Sequence, residues 1–157
     1  LHFLLVGPRT DQNDPKLNAF NDKLMDLVNA SEAGNRVHFT GRVQNVESYL
    51  QAADLFVFAS EREGMANVIL EAMASGLPVV LTPHIGLPPD FGAPERQYLI
   101  ADRNSASLVE VVSELLENEE RHSELALSGR KWVEGSMDLD SVLDRYADLY
   151  HELSGRH

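Results

Sequence analysis

Two glutamates, Glu63 and Glu71, stand with seven residues between them, Gly64-Met65-Ala66-Asn67-Val68-Ile69-Leu70. The apolar residues from Val68 onward have helical spacing and Asn67 precedes them as a start signal, so the stretch reads as a polar turn opening into a helix. Such a helix start favours anions. The N–H groups of its first turn, from about Ala66 to Ile69, lack intrahelical acceptors and point outward with the positive pole of the macrodipole behind them. Gly64 would let the backbone approach a ligand closely. Glu71 falls one turn, about 5.4 Å, beyond Asn67 on the same face. With a phosphate at the helix start, Glu71 is placed to accept from a ribose diol. A carboxylate at Glu63 would repel the phosphate, so Glu63 should instead meet hydroxyl groups of an attached sugar. A plainer reading stays open on spacing alone: a solvated Glu63, an N-capping Asn67 and an exposed helix carboxylate at Glu71, since capped helices after a glycine turn are common.

Strands and helices must hold this turn. Leu55-Phe56-Val57-Phe58 before it and Val79-Val80-Leu81 after Gly76-Leu77-Pro78 are apolar throughout, as is Phe3-Leu4-Leu5-Val6 ahead of Gly7-Pro8. Such runs predict strands buried on both faces of a parallel sheet. Val37-His38-Phe39 and Tyr98-Leu99-Ile100 are shorter candidates. Between them lie helical stripes: Leu17, Phe20, Leu24, Leu27 and Val28; Val46, Tyr49, Leu50 and Ala53; Leu108, Val111, Val112, Leu115 and Leu116; and Val142, Tyr146, Tyr150 and Leu153. Strands alternating with helices predict an α/β domain with a doubly wound parallel sheet, its ligand chemistry in the loops after the strand carboxyl ends. The Pro- and Gly-rich loop from Thr82 to Pro94 should edge that cleft.

The 157 residues carry 13 Lys and Arg against 25 Asp and Glu, a net charge of −12, and no Cys. A chain of this length buries roughly 68–70% of its unfolded surface, enough for a core without disulfides or structural zinc. Thiol chemistry is excluded, and so acidic a chain lacks the clustered cations of a nucleic-acid footprint. No run approaches the roughly 18–20 apolar residues of a membrane span. The expectation is a single cytoplasmic domain over residues 1–157, any peripheral membrane contact being left to the full-length protein. Opening on Leu1 directly in an apolar strand, the chain reads as a fragment truncated at its N-terminus.

Several features read as decoys. Asp138-Leu139-Asp140 has a metal-binding tripeptide's form but opens the last helical stripe and reads as a cap. The six histidines share no ligand spacing, so no metal site is expected; His84, after a core strand, is expected to be a solvated loop residue. Arg9 and Arg62 follow strands and read as solvated charges, and Trp132 as a packing anchor between helix and sheet. Gly7-Pro8-Arg9 lacks the glycine pattern of a dinucleotide-dependent oxidoreductase. A response-regulator-like domain would carry an Asp where this chain has Ala59-Ser60.

The stretch Glu63 to Val80 resembles the donor-site signature of retaining glycosyltransferases of the group 1 type. The likeness extends to Val37-His38-Phe39-Thr40-Gly41-Arg42-Val43, to Ala53 through Ser60, and to Asp102. It implies the C-terminal, donor-binding half of a two-domain GT-B enzyme, each half Rossmann-like, which transfers a sugar from a nucleotide-diphosphate sugar with retention. The resemblance also implies no obligatory metal, and no cofactor, the nucleotide sugar being a substrate. Glu63 and Glu71 become its catalytic pair, Glu63 on the transferred sugar and Glu71 on the ribose. Gly64, Met65, Ala66, Asn67 and Val68 would hold the diphosphate and sugar, with Arg42 and Val43 beside the base. Met65 and Ala66 replace the usual aromatic residue and second glycine. Resembling enzymes also bring an Arg and a Lys to the diphosphate from an earlier strand, loop and helix, and this chain starts beyond them. The N-terminal acceptor domain would be a partner from the same protein, without which the fragment should not turn over. A nucleotide-sugar epimerase or a non-catalytic nucleotide-binding module are the alternatives.

Overall fold

The computed structural model describes residues 1–8, 15–64 and 67–155. The chain divides into two compact units, residues 1–46 and 47–157.

The first unit contains β1 (Phe3–Val6), α1 (Pro15–Ala30) and β2 (Val37–Gly41). β1 and β2 run parallel, Phe3 facing Val37 and Leu5 facing Phe39, with a register shift before Val6 meets Gly41. The expected burial of β1 on both faces is not observed: its four residues are 41–49% exposed. The reason is its neighbourhood, since β2 is its only strand partner among the described residues and a two-stranded ribbon cannot cover its own faces. The α1 stripe is also rotated. Leu17, Leu24 and Val28 face inward with Asn21, which is 8% exposed, whereas Phe20 and Leu27 point to solvent at 62% and 70%. Residues 17, 21, 24 and 28 form the straighter helical row, so a polar residue occupies the inner face.

α2 (Val46–Gln51) begins at the last residue of the first unit, and the second unit continues through β3 (Phe56–Phe58), α3 (Asn67–Ala74), β4 (Val79–Leu81), β5 (Leu99–Ile100), α4 (Ser105–Glu117), α5 (Glu119–Ser136) and α6 (Leu139–Ser154). β3, β4 and β5 form a parallel sheet with β4 in the middle. The parallel α/β order matches the sequence expectation. β4 is fully buried, whereas β3 is only half-buried and its Val57 is exposed, because β3 lies at the edge of this sheet.

Val80, Ala101, Leu115 and Leu125 form the centre of the core, joined by Leu55, Leu99, Leu108, Val111 and Val112. Ile69, Ala72 and Met73 bury the inner face of α3, which packs on α5 and β4. α3 ends where expected: the Gly76 N–H donates to the Met73 carbonyl and the Leu77 N–H to that of Ala72. This Schellman closure needs the left-handed φ of +80° at Gly76. Asn104, Asn118 and Asp138 cap α4, α5 and α6 through their side chains.

α6 departs from its expectation. Val142 is half-buried, but Tyr146, Tyr150 and Leu153 are exposed along with Leu139, Leu143 and Leu149. The helix is amphipathic as its sequence dictates, yet its apolar face is largely uncovered. Among the described residues, no helix is long and apolar enough to cross a membrane.

Candidate functional site

The site is built from the carboxyl ends of β3 and β4. Along this ladder Phe56 faces Val79, Val57 faces Val80 and Phe58 faces Leu81. The same offset persists beyond the strands, where Arg62 bridges to Ile85. The Thr82 N–H donates to the Phe58 carbonyl (3.0 Å), the Ile85 N–H to that of Glu61 (3.2 Å) and the Glu63 N–H to that of Ile85 (3.2 Å). The turn carrying Glu63 is thus an extension of the β3–β4 ladder, and the loop expected to edge the cleft holds its backbone.

Side chains tie this arrangement together. Ser60 Oγ donates to Glu63 Oε1 at 3.2 Å, and Thr82 Oγ1 donates to the Ser60 carbonyl at 3.4 Å. Arg103, just after β5, pairs with Glu61 at 3.4 Å and donates to the Pro83 carbonyl. Gly86 is required where it stands. Its φ is +105°, and a Cβ there would overlap the Glu63 carbonyl oxygen. Gly64 is the opposite case: an added Cβ would meet nothing within 4 Å, so the packing of the described residues does not require glycine there.

Asn67 is the first residue of α3 rather than the residue before it, so its expected place ahead of the helix is corrected by one position. It remains in the first turn, where backbone N–H groups are free. Glu71 follows one turn later, and both residues are exposed. Val68 is half-buried, while Glu63 and Gly64 are exposed. Glu63, Gly64, Asn67, Val68 and Glu71 therefore follow one another from the end of β3 into α3. Met65, Ala66 and Arg9 lie outside the described residues. Arg42 and Val43 belong to the first unit, where they follow Gly41 at the end of β2; Arg42 is exposed and Val43 half-buried.

His84 is not the solvated loop residue expected. Its ring is half-buried, packed edge-on against Phe58 with centroids 5.4 Å apart. Nδ1 lies 3.1 Å from the Thr82 carbonyl oxygen, and Nε2 is buried without a hydrogen-bond partner among the described residues. Sequence reasoning misjudged this His and missed Ser60 and Gly86, because the contacts that set His84 against Phe58, Thr82 against Ser60 and Gly86 against Glu63 join two segments. The placement of a glycine and a histidine right after a buried strand was the available signal.

The remaining decoys resolve readily. Asp138 caps α6 by accepting from the Ser141 N–H at 3.1 Å, and hydrogen bonds from the Ser141 side chain and backbone hold its carboxyl below the usual range. Arg62 is exposed. Trp132 packs edge-on against Phe91 at 5.0 Å, a contact with the β4–β5 loop instead of the expected wedge between helix and sheet. Trp132 also lines an open groove of about 490 Å³ with Arg96, Gln97 and Lys131. A smaller cavity of about 90 Å³ lies between Glu95, Leu99 and α4. Neither is lined by Glu63 or Glu71.

Residues 1–118 match the family model described as glycosyl transferases group 1. N-acetyl-alpha-D-glucosaminyl L-malate synthase of Bacillus anthracis is 28% identical over 130 residues, which cover 83% of this chain and 34% of that protein. The lipopolysaccharide core biosynthesis glycosyltransferase LpsE of Rhizobium meliloti is 30% identical over 129 residues, covering 82% and 38%. Among solved structures, sucrose-phosphate synthase from Thermosynechococcus elongatus aligns with a TM-score of 0.81 at 25% identity, over 98% of this chain and 39% of that one. Anabaena HepE, solved in complex with UDP, aligns at 0.83 and 18% identity over 97% and 41%, a likeness of fold. The chain thus spans about a third to two-fifths of the length of these proteins.

Proposed function

The chain belongs to the group 1 glycosyl transferases, and from that premise we propose that it is the donor-binding half of a retaining enzyme that takes its sugar from a nucleotide-diphosphate sugar. The observation that carries this is the run from Glu63 to Glu71: one acid held by the β4 loop at the end of β3, an open Gly64, and a second acid one turn into α3. The acceptor-binding half falls to the remainder of the full-length protein.

In this reading the diphosphate meets the free N–H groups at the start of α3. Glu71 accepts from the ribose hydroxyls and Glu63 from hydroxyls of the sugar. HepE was solved in complex with UDP-glucose, and a relative from Mycobacterium tuberculosis is a GDP-mannose-dependent mannosyltransferase; both support a nucleotide-sugar donor and leave its base open. On transfer, the bond from the anomeric carbon to the diphosphate oxygen breaks and its electron pair leaves with the nucleoside diphosphate. The acceptor oxygen bonds to the same face of that carbon, and its proton passes to the departing phosphate. Charge grows on the diphosphate as this happens, and the preorganised N–H groups of α3 stabilise it without rearrangement. These groups need no metal for their part, and neither glutamate acts as a nucleophile.

The test separates the two glutamates in the full-length enzyme. Glu71→Gln should weaken UDP or GDP binding by roughly 1.5–3 kcal/mol, the range for a hydrogen bond to a charged group. Glu63→Gln should leave nucleotide affinity nearly intact and lower kcat, because a contact strengthened in the transition state appears in turnover. Calorimetry beside steady-state kinetics reads both. Loss of nucleotide binding in Glu63→Gln with none in Glu71→Gln would reverse the roles and sink the assignment.

A further inference from the structure

We propose that His84 is a contact for the donor sugar: its Nε2 is held as an acceptor and takes a hydrogen bond from a sugar hydroxyl beside Glu63. The inference rests on the donor-site reading given above and names a specificity-determining residue within it.

The tautomer follows from the partner. A carbonyl oxygen only accepts, so the Nδ1 that lies 3.1 Å from the Thr82 carbonyl carries the proton. In the neutral ring the other nitrogen is then an acceptor. That atom, Nε2, is buried and has no partner among the described residues. A buried acceptor left unmade is unfavourable, and a ligand that supplies a donor relieves it. An ionised phosphate has only acceptors and cannot do so, whereas a sugar hydroxyl can.

The ring is also placed and fixed for this task. It sits at the carboxyl ends of adjacent parallel strands, where ligands bind in open α/β sheets. The edge-on contact with Phe58 at 5.4 Å sets its plane. Thr82, which anchors Nδ1, donates from Oγ1 to the Ser60 carbonyl, and Ser60 Oγ donates to Glu63. The Glu63 N–H donates to the Ile85 carbonyl, with Gly86 close against the Glu63 carbonyl. Glu63 and His84 are therefore two acceptors on one tied framework. Their common complement is a group rich in hydroxyls.

Two variants divide the ring's functions. In His84→Asn the amide nitrogen replaces Nδ1 as the donor to Thr82 while Nε2 is lost; in His84→Gln an amide oxygen reaches near the Nε2 position. Both are titrated in the full-length protein with UDP, GDP, UDP-glucose and GDP-mannose. His84→Asn should bind the nucleoside diphosphate within about twofold of wild type, and bind the nucleotide sugar that wild type accepts about fivefold more weakly, as for one lost hydrogen bond. His84→Gln should recover part of that loss. Equal weakening of diphosphate and nucleotide sugar in His84→Asn, or no weakening of either, overturns the proposal while leaving the donor site standing. A wild-type protein that binds none of the four ligands overturns the donor site, and this inference with it.

Discussion

β1 and β4 are both short runs of bulky apolar residues in parallel ladders, yet they have opposite environments. Val79, Val80 and Leu81 are at 0% exposure, whereas Phe3, Leu4, Leu5 and Val6 lie between 41% and 49%. β4 has a strand on each side and packs against α3 and α5, while among the described residues β1 has β2 alone. Burial of a strand is thus conferred by its neighbours, not by its own hydrophobicity. The difference matters for function because the loop leaving β4 braces Glu63. A brace needs a fixed origin, and a strand enclosed on all sides supplies one.

Stability measurements would sharpen this contrast most. Leu81→Ala removes a fully buried side chain and should destabilise by about 2–5 kcal/mol, while Leu4→Ala, at a half-exposed site, should stay below about 1 kcal/mol. Urea unfolding followed by circular dichroism reads both. Similar losses for the two would mean that β1 is as enclosed as β4 and would break the comparison.

An intermediate effect is expected at the brace itself. Gly86→Ala introduces a Cβ that would overlap the Glu63 carbonyl and imposes a side chain on a φ of +105°. The loop must move, at roughly 1–3 kcal/mol for a strained backbone conformation. Since Glu63 is displaced with it, kcat of the full-length enzyme should fall more than its UDP or GDP affinity. Unchanged kcat in a folded Gly86→Ala protein would show that the β4 loop does not position Glu63.

The smallest effect is expected at the cap of α6. Asp138 is held below the ordinary carboxylate range by its hydrogen bonds from Ser141. A depressed folded-state pKa means that its contribution to α6 is complete above the unfolded value and is lost as pH falls through the lower folded value. Helical circular dichroism should therefore decline slightly at acid pH, below about 4, and the part due to this cap should vanish in Asp138→Asn. An identical acid profile in that variant would remove the cap from the account.

Much of the candidate site was legible because it is local. Helical repeat alone puts Glu71 one turn beyond Asn67, and the glycine and proline after Ala74 mark the end of α3. The order of strands and helices follows equally from apolar spacing within short windows. What escaped reading depends on contacts between distant segments. Asn21 rather than Phe20 faces inward on α1, and the apolar stripe of α6 is exposed, because a stripe states which face is apolar and not whether anything covers it. His84 reads as a solvated residue, yet packing against Phe58 half-buries its ring.

The strands, the parallel α/β order, the Asp138 cap and the spacing from Glu63 to Glu71 could be read from the chain, because they arise from backbone propensity and side-chain periodicity over a few residues. The enclosure of β4 and not β1, the β3–β4 register that runs on to brace Glu63, and the need for glycine at position 86 emerged only on folding. So did the identity of the His84 nitrogen that has no partner among the described residues. Those properties are set by which surfaces meet across long stretches of chain, and chain-local patterns do not encode that meeting.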